Sequence, residues 1–98
     1  EMTKLMQIKR AIKSNKKFLR QQYGVKEIGI FGSFARGEQK RKSDVDVLVD
    51  FDNVPDLIKF IELERKLQRL LGMKVDLVRK QAIRDELKDS ILRELKIV

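Results

Sequence analysis

The chain has 98 residues and a formal net charge of +8, a length that suits one domain with a modest core, spanning residues 1–98, and leaves no room for a separate substrate-recognition domain. It contains neither cysteine nor histidine, which removes disulfides, thiolate and imidazole metal sites and imidazole catalysis; carboxylates remain as metal ligands, and these favour magnesium, calcium or manganese. No apolar run approaches the roughly 20 residues of a membrane span, and the basic, amphipathic N-terminus is unlike a signal peptide, so a cytoplasmic protein without membrane contact is expected, with Met2 as its natural start.

Taken in chain order, Thr3 to Gln22 predicts an amphipathic helix, with Leu5, Ile8, Ile12 and Leu19 on one stripe and Lys9, Lys13, Lys16 and Arg20 on the next. Tyr23-Gly24 ends it. Lys26 to Phe31 is short, rich in β-formers and closes on a glycine, which predicts a strand. Gly32 to Gly37 predicts a short helix, and Glu38 to Ser43 a charged loop. Val45 to Phe51 alternates: Val45, Val47, Val49 and Phe51 share one face, and Asp44, Asp46, Leu48 and Asp50 the other. Asp52-Asn53-Val54-Pro55 breaks this strand, and Asp56 caps a helix carrying Leu57, Phe60, Ile61, Leu67, Leu70 and Leu71 that stops at Gly72. Lys74 to Val78 predicts a third strand with Asp76 between Val75 and Leu77. Asp85 to Leu95 predicts a closing helix with Leu87, Ile91 and Leu95 inward. The order α-β-α-β-α-β-α describes an α/β fold, helices packed on a small sheet. Phe34 and Phe51 are expected in its core.

The charge is unevenly placed. Through Lys42, twelve Lys/Arg face three acids, Glu1, Glu27 and Glu38; from Ser43 onward, eleven face twelve. The basic first helix has one aromatic neighbour, Tyr23, and no interleaved aromatics on which bases could stack, so it reads as a solvated face and nucleic acid is not expected as a partner.

Three features converge on one chemistry. Gly32-Ser33 falls where a strand gives way to a helical turn, a junction that presents free backbone N–H groups, lets a phosphate approach closely and adds a hydroxyl donor. Asp44-x-Asp46 opens a strand, where same-face residues stand about 7 Å apart at a rise of about 3.3 Å per residue. Two aspartates there can tilt onto one cation or share a pair of ions; without a cation they would repel, and their burial beside Val and Leu would be costly. Magnesium suits so short a ligand set because it keeps waters and takes substrate phosphates. Asp76, if its strand adjoins the first, reaches the same face, where it could bind a second ion or accept the proton of an attacking hydroxyl.

Gly32-Ser33-Phe34-Ala35-Arg36-Gly37, ten residues between Ser33 and Asp44, and then Ser43-Asp44-Val45-Asp46-Val47-Leu48-Val49 resemble the signature of the DNA polymerase β-like nucleotidyltransferase superfamily. The short chain and the Ala-Arg-Gly variant resemble the minimal nucleotidyltransferase (MNT) antitoxins of HEPN/MNT toxin–antitoxin pairs. The resemblance implies a polymerase β-like fold with a small mixed sheet. It further implies that Gly32 and Ser33 hold the β- and γ-phosphates of ATP, and that Asp44, Asp46 and Asp76 form the catalytic Mg²⁺ site. The activity it implies is transfer of AMP to a tyrosine of a HEPN-type RNase toxin with release of pyrophosphate. The acceptor site would then come from that partner or from self-association. Two alternatives stand beside it: an antitoxin that neutralises its toxin by binding alone, and a nucleotidyltransferase acting on RNA or a small molecule. Arg36 has two readings, a contact with the triphosphate or a salt bridge to Asp44 or Asp50. Asp50 itself lies beyond the ligand pair. Lys40, Arg41 and Lys42 border the site and are read as a solvated loop rather than as a guide for ATP or an acidic partner.

Overall fold

A computed structural model describes residues 2–98; Glu1, one of the three acids of the basic half, lies outside the described residues. The first helical stretch is two helices rather than one, α1 (Lys4–Ser14) and α2 (Lys16–Tyr23), parted at Asn15. The cause is local. Ser14 Oγ donates to the Arg10 carbonyl at 3.0 Å and Asn15 Nδ2 donates to the Ala11 carbonyl at 2.8 Å, so side chains compete for acceptors of the helical ladder. Hydrophobic periodicity does not register the break, because Ile8, Ile12 and Leu19 are buried on both sides of it.

The chain continues through β1 (Val25–Phe31), α3 (Gly32–Arg36), β2 (Val45–Phe51), α4 (Leu57–Leu71) and β3 (Val75–Arg79). A 3-10 turn (Lys80–Ala82), α5 (Asp85–Glu94) and a two-residue strand, β4 (Lys96–Ile97), complete it. The strands form one sheet in the order β3-β2-β1-β4, with β2–β3 parallel and the other pairs antiparallel. The expected mixed sheet and α/β class are therefore what the chain adopts. β4 was not expected: the last helix stops one residue short of Leu95. A strand of two residues carries no alternation and exists by pairing with Gly29 and Ile30 of β1.

One face of the sheet builds the core. Ile28 and Ile30 of β1, Val45, Val47, Val49 and Phe51 of β2, and Val75 and Leu77 of β3 are buried with Ile8, Ile12 and Leu19 from α1 and α2 and with Leu63 and Leu67 from α4. Each such side chain removed from water contributes about 1.5–3 kcal/mol. Phe34 of α3 joins this cluster, so both expected core phenylalanines belong to it.

Helix α4 starts as its capping residue requires, with Asp56 Oδ1 accepting from the Lys59 N–H at 2.8 Å. Its buried stripe differs from the expected one. Leu63 and Leu67 are fully buried, and Phe60, Leu70 and Leu71 pack beside them. Leu57 is 72% exposed and Ile61 39% exposed. At about 100° per residue both lie roughly 90° or more off that stripe.

Helix α5 has no buried residue, and Leu87, expected inward, is 49% exposed. Ile91 and Leu95 are half-buried. The helix lies over the opposite sheet face, where Leu92 and Leu95 border a small cleft with Gly29, Leu48 and Asp50. Among the described residues no helix is long and apolar enough to cross a membrane.

Candidate functional site

The non-core face of the sheet gathers the singled-out residues at one edge of three strands. In the parallel β2–β3 register Asp46 stands directly beside Asp76, and in the antiparallel β1–β2 register Asp46 faces Phe31, the residue before Gly32. Strand pairing thus brings Asp46, Asp76 and the Gly32-Ser33 turn together from well-separated stretches of the sequence. Asp44 stands one residue ahead of β2, exposed at the lip.

Asp46 is half-buried and its carboxyl is pushed up to about 6. Burial is the larger cause, and the charges of Asp76, Asp44 and Glu94 add to it against the opposing pull of Arg36. The carboxylates therefore sense one another, but they do not form a finished cage: among the described residues no three are gathered tightly enough to hold a metal ion unaided. Their chemistry still suits a hard cation. The donors are all oxygen, the burial and the like charges that raise Asp46 are what a divalent ion offsets, and magnesium completes its shell with water and substrate phosphates.

The turn before α3 fits tightly against this carboxylate. Gly32 is buried with φ +73°, and a β-carbon placed on it would come 2.9 Å from Asp46 Cγ. Glycine here combines a left-handed backbone with a close approach that any side chain would block. Phe34, buried at the next turn, anchors α3 from below. Ser33 is half-buried, and its Oγ makes no hydrogen bond among the described residues.

One expectation about this turn is corrected. The Gly32 N–H is not free: it donates to Glu94 Oε1 at 2.9 Å. Arg36 likewise pairs with neither Asp44 nor Asp50. Its Nη1 donates to Glu94 Oε2 at 2.9 Å and its Nε to Glu38 Oε2 at 3.4 Å. Burial would lift the Glu94 carboxyl, but the bonds from Arg36 and the Gly32 N–H outweigh it and hold the group below its ordinary range. The hydrogen bond to Glu94 likewise raises Arg36. Asp50 accepts from Gln81 Nε2 at 2.7 Å, engaged away from the carboxylate pair. Lys40, Arg41 and Lys42 are exposed, their loop fastened by the Lys40 N–H to Ser43 Oγ at 2.8 Å.

Glu94 and Glu38 are the residues that sequence reasoning missed. Glu94 lies 58 positions from Arg36, on a helix whose local pattern marks only Leu87, Ile91 and Leu95. Its one signal was indirect: an arginine beside a phosphate-type turn needs an acidic partner, and the last helix carries several acids.

The model of the family described as nucleotidyltransferase domain matches residues 12–98. The chain is 50% identical over 94 residues to the protein adenylyltransferase MntA of Thermococcus cleftensis, covering 96% of this chain and 95% of that one. Among solved structures it is similar to a toxin–antitoxin crystal structure with AMP-PNP, at TM-score 0.73 and 31% identity over 87% of this chain and 69% of that one. It is also similar to a chain in the complex of tri-AMPylated Shewanella oneidensis HEPN toxin with MNT antitoxin, at TM-score 0.67 and 25% identity over 92% of this chain and 70% of that one.

Proposed function

The chain belongs to the nucleotidyltransferase domain family, and from that premise we propose that it is an antitoxin that transfers AMP from ATP to a tyrosine of a HEPN-type RNase toxin and releases pyrophosphate. The observation that carries this reading is the pairing of Asp46 with Asp76 across β2–β3, directly beside the Gly32-Ser33 turn. An anion-binding turn next to clustered carboxylates is what nucleoside triphosphate chemistry needs: one part holds phosphate, the other draws a cation to the reacting phosphorus. The similarity to the adenylyltransferase of Thermococcus cleftensis and to toxin–antitoxin complexes, one with AMP-PNP and one with an AMPylated toxin, supports the donor, the product and the partner.

Each residue has a task in this reading. Ser33, through its hydroxyl and its N–H, and Arg36, through guanidinium N–H groups not committed to Glu94 and Glu38, hold the β- and γ-phosphates. Gly32 brings the backbone close enough for this. Asp44, Asp46 and Asp76 would hold Mg²⁺, which when bound neutralises phosphate charge and draws electron density from the α-phosphorus. The tyrosine oxygen attacks that phosphorus in line, forming one P–O bond while the bond to the bridging oxygen of pyrophosphate breaks. Asp76 is assigned the proton the tyrosine loses. Alignment and charge neutralisation supply the rate enhancement, since no covalent intermediate with the protein is required. With ATP as donor, the protein works in the cytoplasm.

The test is incubation of the chain and a HEPN-type toxin with α-labelled ATP and magnesium, beside an Asp44→Ala variant. Label on the toxin with wild type and none with the variant is the expected result. An unlabelled toxin that is nevertheless neutralised would replace the enzymatic reading with an antitoxin acting by binding alone.

A further inference from the structure

Helix α3 is five residues long, far too short to hold its shape unaided. Its two ends, Gly32 and Arg36, are bound by the same carboxylate: Glu94 Oε1 accepts from the Gly32 N–H and Glu94 Oε2 from Arg36 Nη1, each at 2.9 Å. We propose that Glu94 is a positioning residue for triphosphate binding, stapling the two ends of α3 so that Ser33 and Arg36 are preset for the phosphates. This rests on the nucleotidyltransferase reading of the site.

The placement of Glu94 is itself well determined. The next residue, Leu95, seats over Gly29, where a β-carbon would lie 2.8 Å from Leu95 Cδ1. Beyond it β4 pairs with Gly29 and Ile30, and the Val98 N–H donates to the Ile28 carbonyl at 2.9 Å. The body of α5 is loosely covered, with no buried residue, so the carboxylate is held from its C-terminal side by β1 and not by its own helix. A rigid anchor of this kind is what orienting another side chain demands.

Arg36 is oriented without being used up. A guanidinium has five N–H donors, and the bonds to Glu94 and Glu38 engage only Nη1 and Nε. The remaining donors are free to meet phosphate oxygens, while two carboxylates fix the plane of the fork. The Gly32 bond has a parallel effect on the backbone, holding the left-handed turn that seats Gly32 against Asp46 at the start of α3. The opposite role for the same contacts would be competition, with Glu94 occupying donors that the phosphates need. Binding affinities separate the two.

The experiment measures affinity for AMP-PNP with magnesium, by calorimetry, for wild type, Glu94→Gln, Glu94→Ala, Arg36→Ala and the Glu94→Ala/Arg36→Ala double variant. Loss of orientation is expected to weaken binding about tenfold or more in Glu94→Ala. Glu94→Gln keeps an oxygen for the Gly32 N–H but no charge for Arg36, and should fall between wild type and alanine. Because Glu94 acts largely through Arg36, the losses in the double variant should not multiply. Unchanged melting of Glu94→Gln alongside weakened binding would separate this role from a merely structural one. Equal or tighter binding by the Glu94 variants, with wild type binding normally, overturns the positioning role alone. Failure of wild type to bind the nucleotide at all overturns the nucleotidyltransferase reading, and this inference with it.

Discussion

Gly32 lies so close to Asp46 that a methyl group on its α-carbon would come 2.9 Å from the carboxylate carbon. The contact joins the phosphate-type turn to the acidic strand edge, and it has no slack. Gly32→Ala is expected to cost at least about 1–2 kcal/mol from its left-handed backbone alone, with the displaced Asp46 adding to that. Denaturant unfolding and transfer of label from ATP should fall together; wild-type stability in this variant would show that the turn does not pack against Asp46.

Asp46 carries the cost of burying a charge, to which the acids around it add. Its carboxyl, raised from an ordinary 3.8 to about 6, binds its proton more tightly in the folded than in the unfolded chain. The stability from that preference is present below about pH 4 and is lost as pH rises through about 6. Asp46→Asn removes the titration. The metal-free variant should therefore melt higher than wild type at pH 7, with the difference opening between pH 4 and 6, while its transferase activity is abolished. Magnesium with AMP-PNP should raise the melting temperature of wild type and not that of the variant. A melting difference independent of pH would contradict the origin assigned to the shift.

The exposed start of α4 makes a second contrast. Leu63 is fully buried and Leu57 and Ile58 are 72% and 71% exposed. Leu63→Ala should cost about 2–5 kcal/mol through lost burial and a cavity, whereas Leu57→Ser and Ile58→Ser should stay within about 0.5 kcal/mol. Urea unfolding measures all three, and a large cost at Leu57 would mean that α4 turns a different face toward the sheet.

Gly29 gives the last test. Its missing side chain is what lets the C-terminal segment dock, since a β-carbon would lie 2.8 Å from Leu95 Cδ1 and 3.0 Å from the Lys96 carbonyl. Gly29→Val should detach β4 while leaving the core face intact. Hydrogen exchange would then accelerate at the Val98 amide, which donates to the Ile28 carbonyl, with protection of β2 retained. Unchanged exchange at Val98 would show that the segment is held elsewhere.

Much of the fold was legible because its causes are local. Alternation from Val45 to Phe51 fixes which face of β2 is buried, Asp56 caps α4 through its own side chain, and Gly72 ends that helix. The spacing from Gly32-Ser33 to Asp44 and Asp46 carried the family resemblance, which the nucleotidyltransferase domain match bears out. The break at Asn15 was also local but was hidden, because the apolar stripe is continuous across it and only polar back-bonding reveals it.

What the sequence determined by itself, then, is the set of elements that short-range chemistry dictates and the residues able to carry phosphate and carboxylate chemistry. Tertiary structure alone decided three things: that Asp76 stands beside Asp46, that β4 exists, and that Arg36 is held by Glu94 rather than by Asp44 or Asp50. Each depends on a contact between segments far apart in the chain. Hydrophobic periodicity records which face of an element is buried, but a strand's neighbour and an arginine's partner are set by where the whole chain returns, and no local pattern encodes that.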